Sequence, residues 1–240
     1  MESSKSKDIS GILNINKPAG ITSFGVVAKL RRKLGVKRVG HCGTLDPSAT
    51  GVLLVCFGKA TKKSACFSAQ PKTYRGVIKF GVSTDTDDLS GKVVAEKNAA
   101  FLTLDKIKNE ALKFTGKISQ KVPAYSAVKH KGRCLYDYAR KGIKVEQPVK
   151  IIEIEYFDIK SFSPPLAEFE MRCSSGSYVR AVARDMGEGL GCGALLAQLE
   201  RTRSGHFRVE DSLELERVLE LPVEDLIGKA MRMEELSIRG

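Results

Sequence analysis

The sequence predicts an α+β protein built on a mixed, antiparallel-rich sheet flanked by helices, and three observations carry that expectation. Residues 167–173 alternate cleanly, with Ala167, Phe169, Met171 and Cys173 on one side and Glu168, Glu170 and Arg172 on the other, the period of a half-buried antiparallel strand. Residues 52–57 form an apolar run bounded by glycines, too short for a helix and suited to a buried strand. Helical spacing recurs at Val26, Val27, Leu30 and Leu34, and at Ile107, Ala111 and Phe114, where capping residues and glycines mark the ends.

Taken in order, residues 1–10 are polar and predict a disordered tail. Residues 12–15 form a short strand, closed by the turn Lys17-Pro18-Ala19-Gly20. Thr22 or Ser23 caps the first helix, which Gly35 ends. After the strand at 52–57, residues 74–80 form another, leading into Gly81 and the acidic turn Thr84-Asp85-Thr86-Asp87-Asp88. Thr103 or Asp105 starts a helix through Phe114, with Gly116 as stop signal. Residues 151–157 alternate, placing Ile152, Ile154 and Tyr156 opposite Glu153 and Glu155. Ser174 to Ser177 turn into a helix over about 178–190, and the segment after Leu213 reads as helical and polar. No internal repeat is visible.

The chain has 240 residues and a net charge of +12, with a pI near 9.4. That balance favours a polyanionic partner. The excess is uneven: residues 29–38 hold six Lys or Arg, residues 129–150 hold seven plus His130, and acids predominate beyond Glu210. Two such clusters point to nucleic acid. Neither lies on an amphipathic helix with an aromatic face, which disfavours a membrane surface. No apolar segment follows the N-terminus and no run is long enough to span a bilayer, so a cytoplasmic protein is expected. Six cysteines form no CxxC pair and three histidines are present, so no metal site is expected.

The chemistry concentrates in Gly40-His41-Cys42-Gly43-Thr44-Leu45-Asp46-Pro47-Ser48-Ala49-Thr50-Gly51. One carboxylate lies among three glycines, which let backbone approach a ligand closely. Proline drives Asp46 out of helix, and a strongly basic segment precedes it. An isolated Asp-Pro is ordinarily only a turn, whereas an acid beside a phosphate-binding surface suits a reactive group.

These twelve residues resemble the catalytic motif of the TruB family of tRNA pseudouridine synthases. Further blocks agree in order: Gly11 to Ser23 is similar to the family's opening block, Lys72-Thr-Tyr-Arg75 to its tyrosine motif, and Val122 to His130 to the start of its RNA-gripping thumb. Ser174 to Arg180 resembles its arginine motif, and Gly193 to Phe207 its closing Leu-x-Arg-Thr-x-x-Gly-x-Phe segment. Pro123 is followed by Ala124 where the family usually has a second proline. The resemblance implies the pseudouridine synthase fold over residues 11–212, with an RNA-binding thumb insertion at about 120–150. Members commonly carry a C-terminal PUA domain, but only about thirty residues follow the last matching motif, too few for a domain with its own core. A short helical extension over 213–240 is therefore expected in its place.

What the resemblance implies chemically is isomerisation of uridine to pseudouridine at position 55 of the tRNA T-loop, without cofactor or metal. Asp46 would be the catalytic carboxylate, acting at C1′, at C6 of uracil or on a C2′ proton. Arg180 would pair with it, offsetting the rise in pKa that burial brings, and Tyr74 would stack on the base. The base must be flipped out to react; His41 would fill the vacated space, with Lys17, Asp87, Tyr178 and Leu199 lining the pocket. Arg31, Arg32, Lys129, Lys131, Arg133 and Lys141 are candidates for backbone phosphates. The tRNA T-arm is the expected partner, with no obligate protein partner and a monomeric enzyme. The alternatives are a catalytic subunit guided by a separate RNA, as in dyskerin-like relatives, and a non-catalytic RNA-binding or tRNA-folding protein.

Overall fold

The computed structural model of the protein describes residues 9–232. The tail expected over 1–10 lies outside them up to residue 8, as do residues 233–240 of the expected extension. Ser10, assigned to that tail, is anchored: its hydroxyl donates to the Phe57 carbonyl at 3.3 Å and accepts from the Ala60 N–H at 2.9 Å. The chain folds as two compact units. One comprises the described residues through Lys72 and those from Glu200 onward; the other is Thr73–Leu199.

The first unit opens with strand β1 (Gly11–Lys17) and helix α1 (Ser23–Leu34). Of the two candidate caps Thr22 is the one used, its hydroxyl accepting from the Gly25 N–H at 2.9 Å. α1 buries Val26, Val27, Leu30 and Leu34. Strands β2 (Val39–His41) and β3 (Thr50–Phe57) pair antiparallel, so residues 42–49 are the loop that joins them. β3 is buried from Gly51 to Phe57, with β1 antiparallel along its edge. Its side chains Val52, Leu54 and Cys56 pack with Ile12, Cys42, Phe67 and Phe207. A 3₁₀ turn (Gly58–Lys63) and helix α2 (Ser64–Ala69) follow.

The second unit contains β4 (Lys72–Phe80) from Thr73 on, the small pair β5 (Val82–Thr84) and β6 (Val93–Glu96), helix α3 (Leu104–Leu112) and β7 (Gly116–Lys121). Next come β8 (Lys129–His130), β9 (Arg133–Cys134) and helix α4 (Leu135–Arg140), then the long antiparallel pair β10 (Val149–Ser163) and β11 (Leu166–Cys173). Helix α5 (Val179–Gly189) and the first residues of β12 (Ala194–Ser204) complete it, in the strand order β12-β4-β11-β10-β7.

Residues 122–148 form an insertion whose base is closed by the Val149–Lys121 pair and by the Val122 N–H donating to the Pro148 carbonyl at 3.0 Å. Its β8–β9 hairpin turns through Lys131 at φ 47° and Gly132 at φ 83°, the pair of left-handed residues a two-residue hairpin loop requires.

Two sequence expectations fail for local reasons. Tyr156 does not share the buried side with Ile152 and Ile154, because the β10–β11 register shifts between Ile154 and Tyr156. The extra residue inverts the alternation, and Phe157 and Ile159 are buried instead, Phe157 meeting Phe169 edge-on at 5.5 Å.

The segment after Leu213 is not polar in its packing. Beyond β13 (Phe207–Arg208), strand β14 (Leu213–Glu214) pairs parallel with β1. Helices α6 (Leu215–Glu220) and α7 (Val223–Gly228) then bury Leu215, Val218 and Leu226. A few apolar residues spaced on one face suffice to dock a helix that charged residues dominate by number.

Candidate active-site loop

Asp46 lies half-buried on the β2–β3 loop, and the backbone is held on both sides of it. The buried Ser23 hydroxyl, at the start of α1, donates to the Leu45 carbonyl at 3.0 Å and accepts from the Leu45 N–H at 2.8 Å. On the other side, the Pro47 carbonyl accepts from the Gly20 N–H at 2.8 Å and from Lys17 Nζ at 3.2 Å.

Lys17 is fully buried at the end of β1, and its ammonium also reaches the carbonyls of Pro18 and Ile21, each at 2.8 Å. Three acceptors match its three hydrogens. Burial pushes its pKa down to about 8 from the usual 10.5, with the Asp46 carboxylate opposing the fall.

Arg201, on β12, completes the clamp. It is almost wholly buried, and its guanidinium donates to the carbonyls of Val52 at 2.7 Å, Gly43 at 3.1 Å and Thr44 at 3.4 Å. One planar fork thus ties the start of the loop to the strand that follows it. The sequence reading placed Arg201 inside a matching segment without giving it a role. Nothing in its spacing marks it, because its three acceptors are main-chain carbonyls about 150 residues away in the chain.

Of the three loop glycines, Gly51 has a structural reason of its own. Gly51 has φ 95°, and a Cβ there would stand 2.3 Å from the Arg201 carbonyl oxygen. Glycine is required there so that β3 and β12 can pair through Gly51 and Arg201.

His41 ends β2 half-buried, and its Nδ1 is enclosed without a hydrogen-bond partner. Burial and the charge of Arg201 hold its pKa below the usual 6.5, so the ring is neutral at neutral pH. In the first unit, then, Lys17 and His41 both feel the charge of Arg201, and Lys17 that of Asp46.

The second unit gathers Arg180, Tyr178 and Asp87. The buried Gln120 amide holds the backbone of Tyr178 in both directions, at 3.0 and 2.8 Å, at the start of α5. Two residues on, the Arg180 guanidinium donates to the Thr86 carbonyl at 2.7 Å and the Tyr125 carbonyl at 3.1 Å, with its Nε 3.8 Å from Asp88.

The acidic turn is differentiated. Asp88 caps it through Thr86 and Ser90, Asp85 accepts from the Lys92 N–H, and Asp87, at φ 62°, pairs with Arg184 at 3.1 Å. Burial outweighs that partner and raises the Asp87 pKa to about 6.

Tyr74 is buried near the start of β4, and Leu199 is half-buried on β12. Arg31 and Arg32 are exposed on α1, and Lys129, Lys131, Arg133 and Lys141 are exposed on the insertion. Among the described residues, no three His, Cys, Asp or Glu side chains are placed to share a metal ion, and no helix is long and apolar enough to cross a membrane.

Comparison with known proteins fixes the family. Residues 31–179 match the N-terminal domain of TruB family pseudouridylate synthases, and residues 180–232 match the C-terminal domain of tRNA pseudouridylate synthase B. The chain belongs to the TruB family. It is therefore a pseudouridylate synthase, an isomerase.

A relative from Gloeobacter violaceus, tRNA pseudouridine synthase B, is 47% identical over 214 residues, covering 88% of this chain and 73% of the relative. One of the same name from Desulfotalea psychrophila is 48% identical over 85% of each chain. Among solved structures, a Cbf5-Nop10-Gar1 complex matches with a TM-score of 0.73 at 26% identity, over 94% of this chain. This chain spans 60% of the matched chain's length. An H/ACA ribonucleoprotein bound to a substrate RNA matches in fold, with a TM-score of 0.71 at 23% identity. The pseudouridine synthase fold expected from the sequence is the one observed.

Proposed function

We propose that this TruB-family enzyme converts uridine 55 in the T-loop of tRNA to pseudouridine, using Asp46 as its catalytic carboxylate and no cofactor. The observation that carries this reading is the clamping of the Asp46 loop. Ser23, Lys17 and Arg201 bind main-chain atoms at Gly43, Thr44, Leu45 and Pro47 and leave the carboxylate on a half-exposed turn. A reactive group held this way reaches its target without first losing backbone freedom. Breaking the N1–C1′ bond and rejoining the base through C5 leaves the oxidation state unchanged, so the site needs a carboxylate and a pocket for the detached base.

In this reading Arg180 is the counter-ion of Asp46 and Tyr74 stacks on the flipped uracil. His41, neutral and with an unsatisfied Nδ1, enters the space the base vacates, while Asp87, Tyr178 and Leu199 line the pocket. The basic insertion and α1 hold phosphates. The enzyme acts as a cytoplasmic monomer without a guide RNA or protein partner; relatives identical at nearly half of the aligned positions carry the name tRNA pseudouridine synthase B.

The test is release of tritium from tRNA carrying 5-tritiated uridine, with purified protein alone. Wild type is expected to release it, and Asp46→Asn to show no turnover while keeping tRNA affinity within about twofold, since one side chain among many phosphate contacts carries little of the binding. A wild type that needs a second RNA or protein would point instead to a guided subunit, and an active Asp46→Asn would remove the carboxylate from the mechanism.

A further inference from the structure

Between Ser23 and Thr84 the sequence holds twelve Lys or Arg and a single carboxylate, Asp46. Pairing within this stretch cannot neutralise it. Some of its cations are turned to structural use: Lys33 Nζ donates to the Leu219 carbonyl at 2.8 Å, Lys72 Nζ to those of Ser68 and Gln70, and Arg75 pairs with Glu170. Lys37, Arg38, Lys62 and Lys63 are not. All four are exposed, and none has an ion pair among the described residues.

The first unit brings these four together from two separate segments. The Gly58 N–H donates to the Arg38 carbonyl at 2.9 Å, and Val39 pairs with Phe57. The residues before β2 therefore lie beside the 3₁₀ turn that follows β3. Ala60 is buried in that turn and its N–H is bound by Ser10, which leaves Lys62 and Lys63 on the outside. Arg31 joins them from α1, its guanidinium donating to the Val39 carbonyl at 3.2 Å.

This cluster stands at the far end of β3 from the Asp46 loop. β3 has eight residues, and at about 3.3 Å per residue it separates the two by roughly 23 Å. That is nearly three screening lengths at about 8 Å each in physiological salt. The cluster therefore contributes little to the field at Asp46, and its chemistry suits a polyanion long enough to reach both places. A flipped nucleotide and its loop do not extend that far, whereas a helical stem continuing from the loop does.

We propose that the surface formed by Arg31, Lys37, Arg38, Lys62 and Lys63 is a second RNA grip, binding backbone phosphates of the stem or body of the tRNA beyond the loop being modified. This rests on the reading of the substrate as tRNA. The grip gives register and affinity without reading sequence.

The test compares Lys62→Glu/Lys63→Glu and Lys62→Gln/Lys63→Gln with wild type. Filter binding to a full-length tRNA transcript is measured across a salt series, and turnover is measured on that tRNA and on a T-arm hairpin with a stem of a few base pairs. Both positions are exposed, so the unfolding midpoint should not move.

The Glu variant is expected to bind tRNA about tenfold more weakly or worse, with the slope of log affinity against log salt reduced by about 1.5 for two lost phosphate contacts. The Gln variant is expected to fall between it and wild type. Turnover on the short hairpin, and kcat on saturating tRNA, should be unchanged. Unaltered tRNA affinity and salt slope would overturn the proposal. So would an equal loss on the short hairpin, which would place these lysines at the loop itself, or a loss of binding confined to anionic lipid vesicles. A wild type that converts neither RNA would refute the assigned substrate, while the tRNA-binding comparison would still decide the surface.

Discussion

Arg201 and Lys17 show how two buried cations serve a carboxylate through main-chain atoms. Each spends its hydrogens on carbonyls of the loop or its neighbours, so each is satisfied without a paired acid of its own. Arg201→Met leaves the carbonyls of Gly43, Thr44 and Val52 without this donor. At about 1.5–3 kcal/mol for a charged hydrogen bond, we expect a loss of about 3 kcal/mol, read as a lower urea midpoint at unchanged m-value, and a fall in kcat larger than any rise in KM. Arg201→Lys should recover part of both.

Lys17 gives a pH dependence with a definite sign. Its folded pKa of about 8 lies below the usual 10.5, so between those values the unfolded chain binds more protons and this group's contribution to stability rises with pH. Yet a neutral amine has two hydrogens for three carbonyls, and the charge near Asp46 is lost. Activity should therefore fall as pH rises through about 8 while the unfolding midpoint does not, and Lys17→Met should be slow without that alkaline limb. Coincident loss of activity and fold would contradict this.

The β2–β3 connection shows why an element's neighbours matter as much as its own pattern. The apolar run of β3 was legible because burial on both faces suppresses alternation. The reason for Gly51 was not, since it lies in the parallel approach of β12, a partner distant in sequence. A Cβ at Gly51 meets Arg201 main-chain atoms at 2.3 and 2.9 Å and sits at φ 95°. Backbone cannot yield as a flexible side chain can, so Gly51→Ala should cost about 3 kcal/mol or more and shift the loop. Circular dichroism melts and tritium release should fall together in that variant. The bulge in β10 is a parallel case: nothing in residues 149–163 announces the extra residue, because the β11 strand opposite sets the register.

For the whole molecule, the segment after Ser212 acts as cover for β1. β14 pairs with Ile15 and Asn16, and Met231 exchanges backbone hydrogen bonds with Ile12 at 3.0 and 2.9 Å. Truncation after Ser212 should lower the unfolding midpoint by several degrees and promote aggregation, seen by light scattering, because an uncovered strand edge is a template for another chain.

The sequence by itself determined the α+β class, the family, the helix with its buried face at Val26, Val27, Leu30 and Leu34, and the place of the Asp46 loop before a buried strand. These depend on local period, capping chemistry and contiguous motifs, which a linear chain carries in full. Only the tertiary structure decided that Arg201, Lys17 and Ser23 fix the Asp46 backbone, that Gln120 holds the start of α5, and that Asp87 rather than Asp85 or Asp88 faces Arg184. Each of those is a polar side chain meeting main chain or charge far along the sequence. Hydrogen-bond partners of that kind are chosen by where folding places them, and leave no periodicity for the sequence to show.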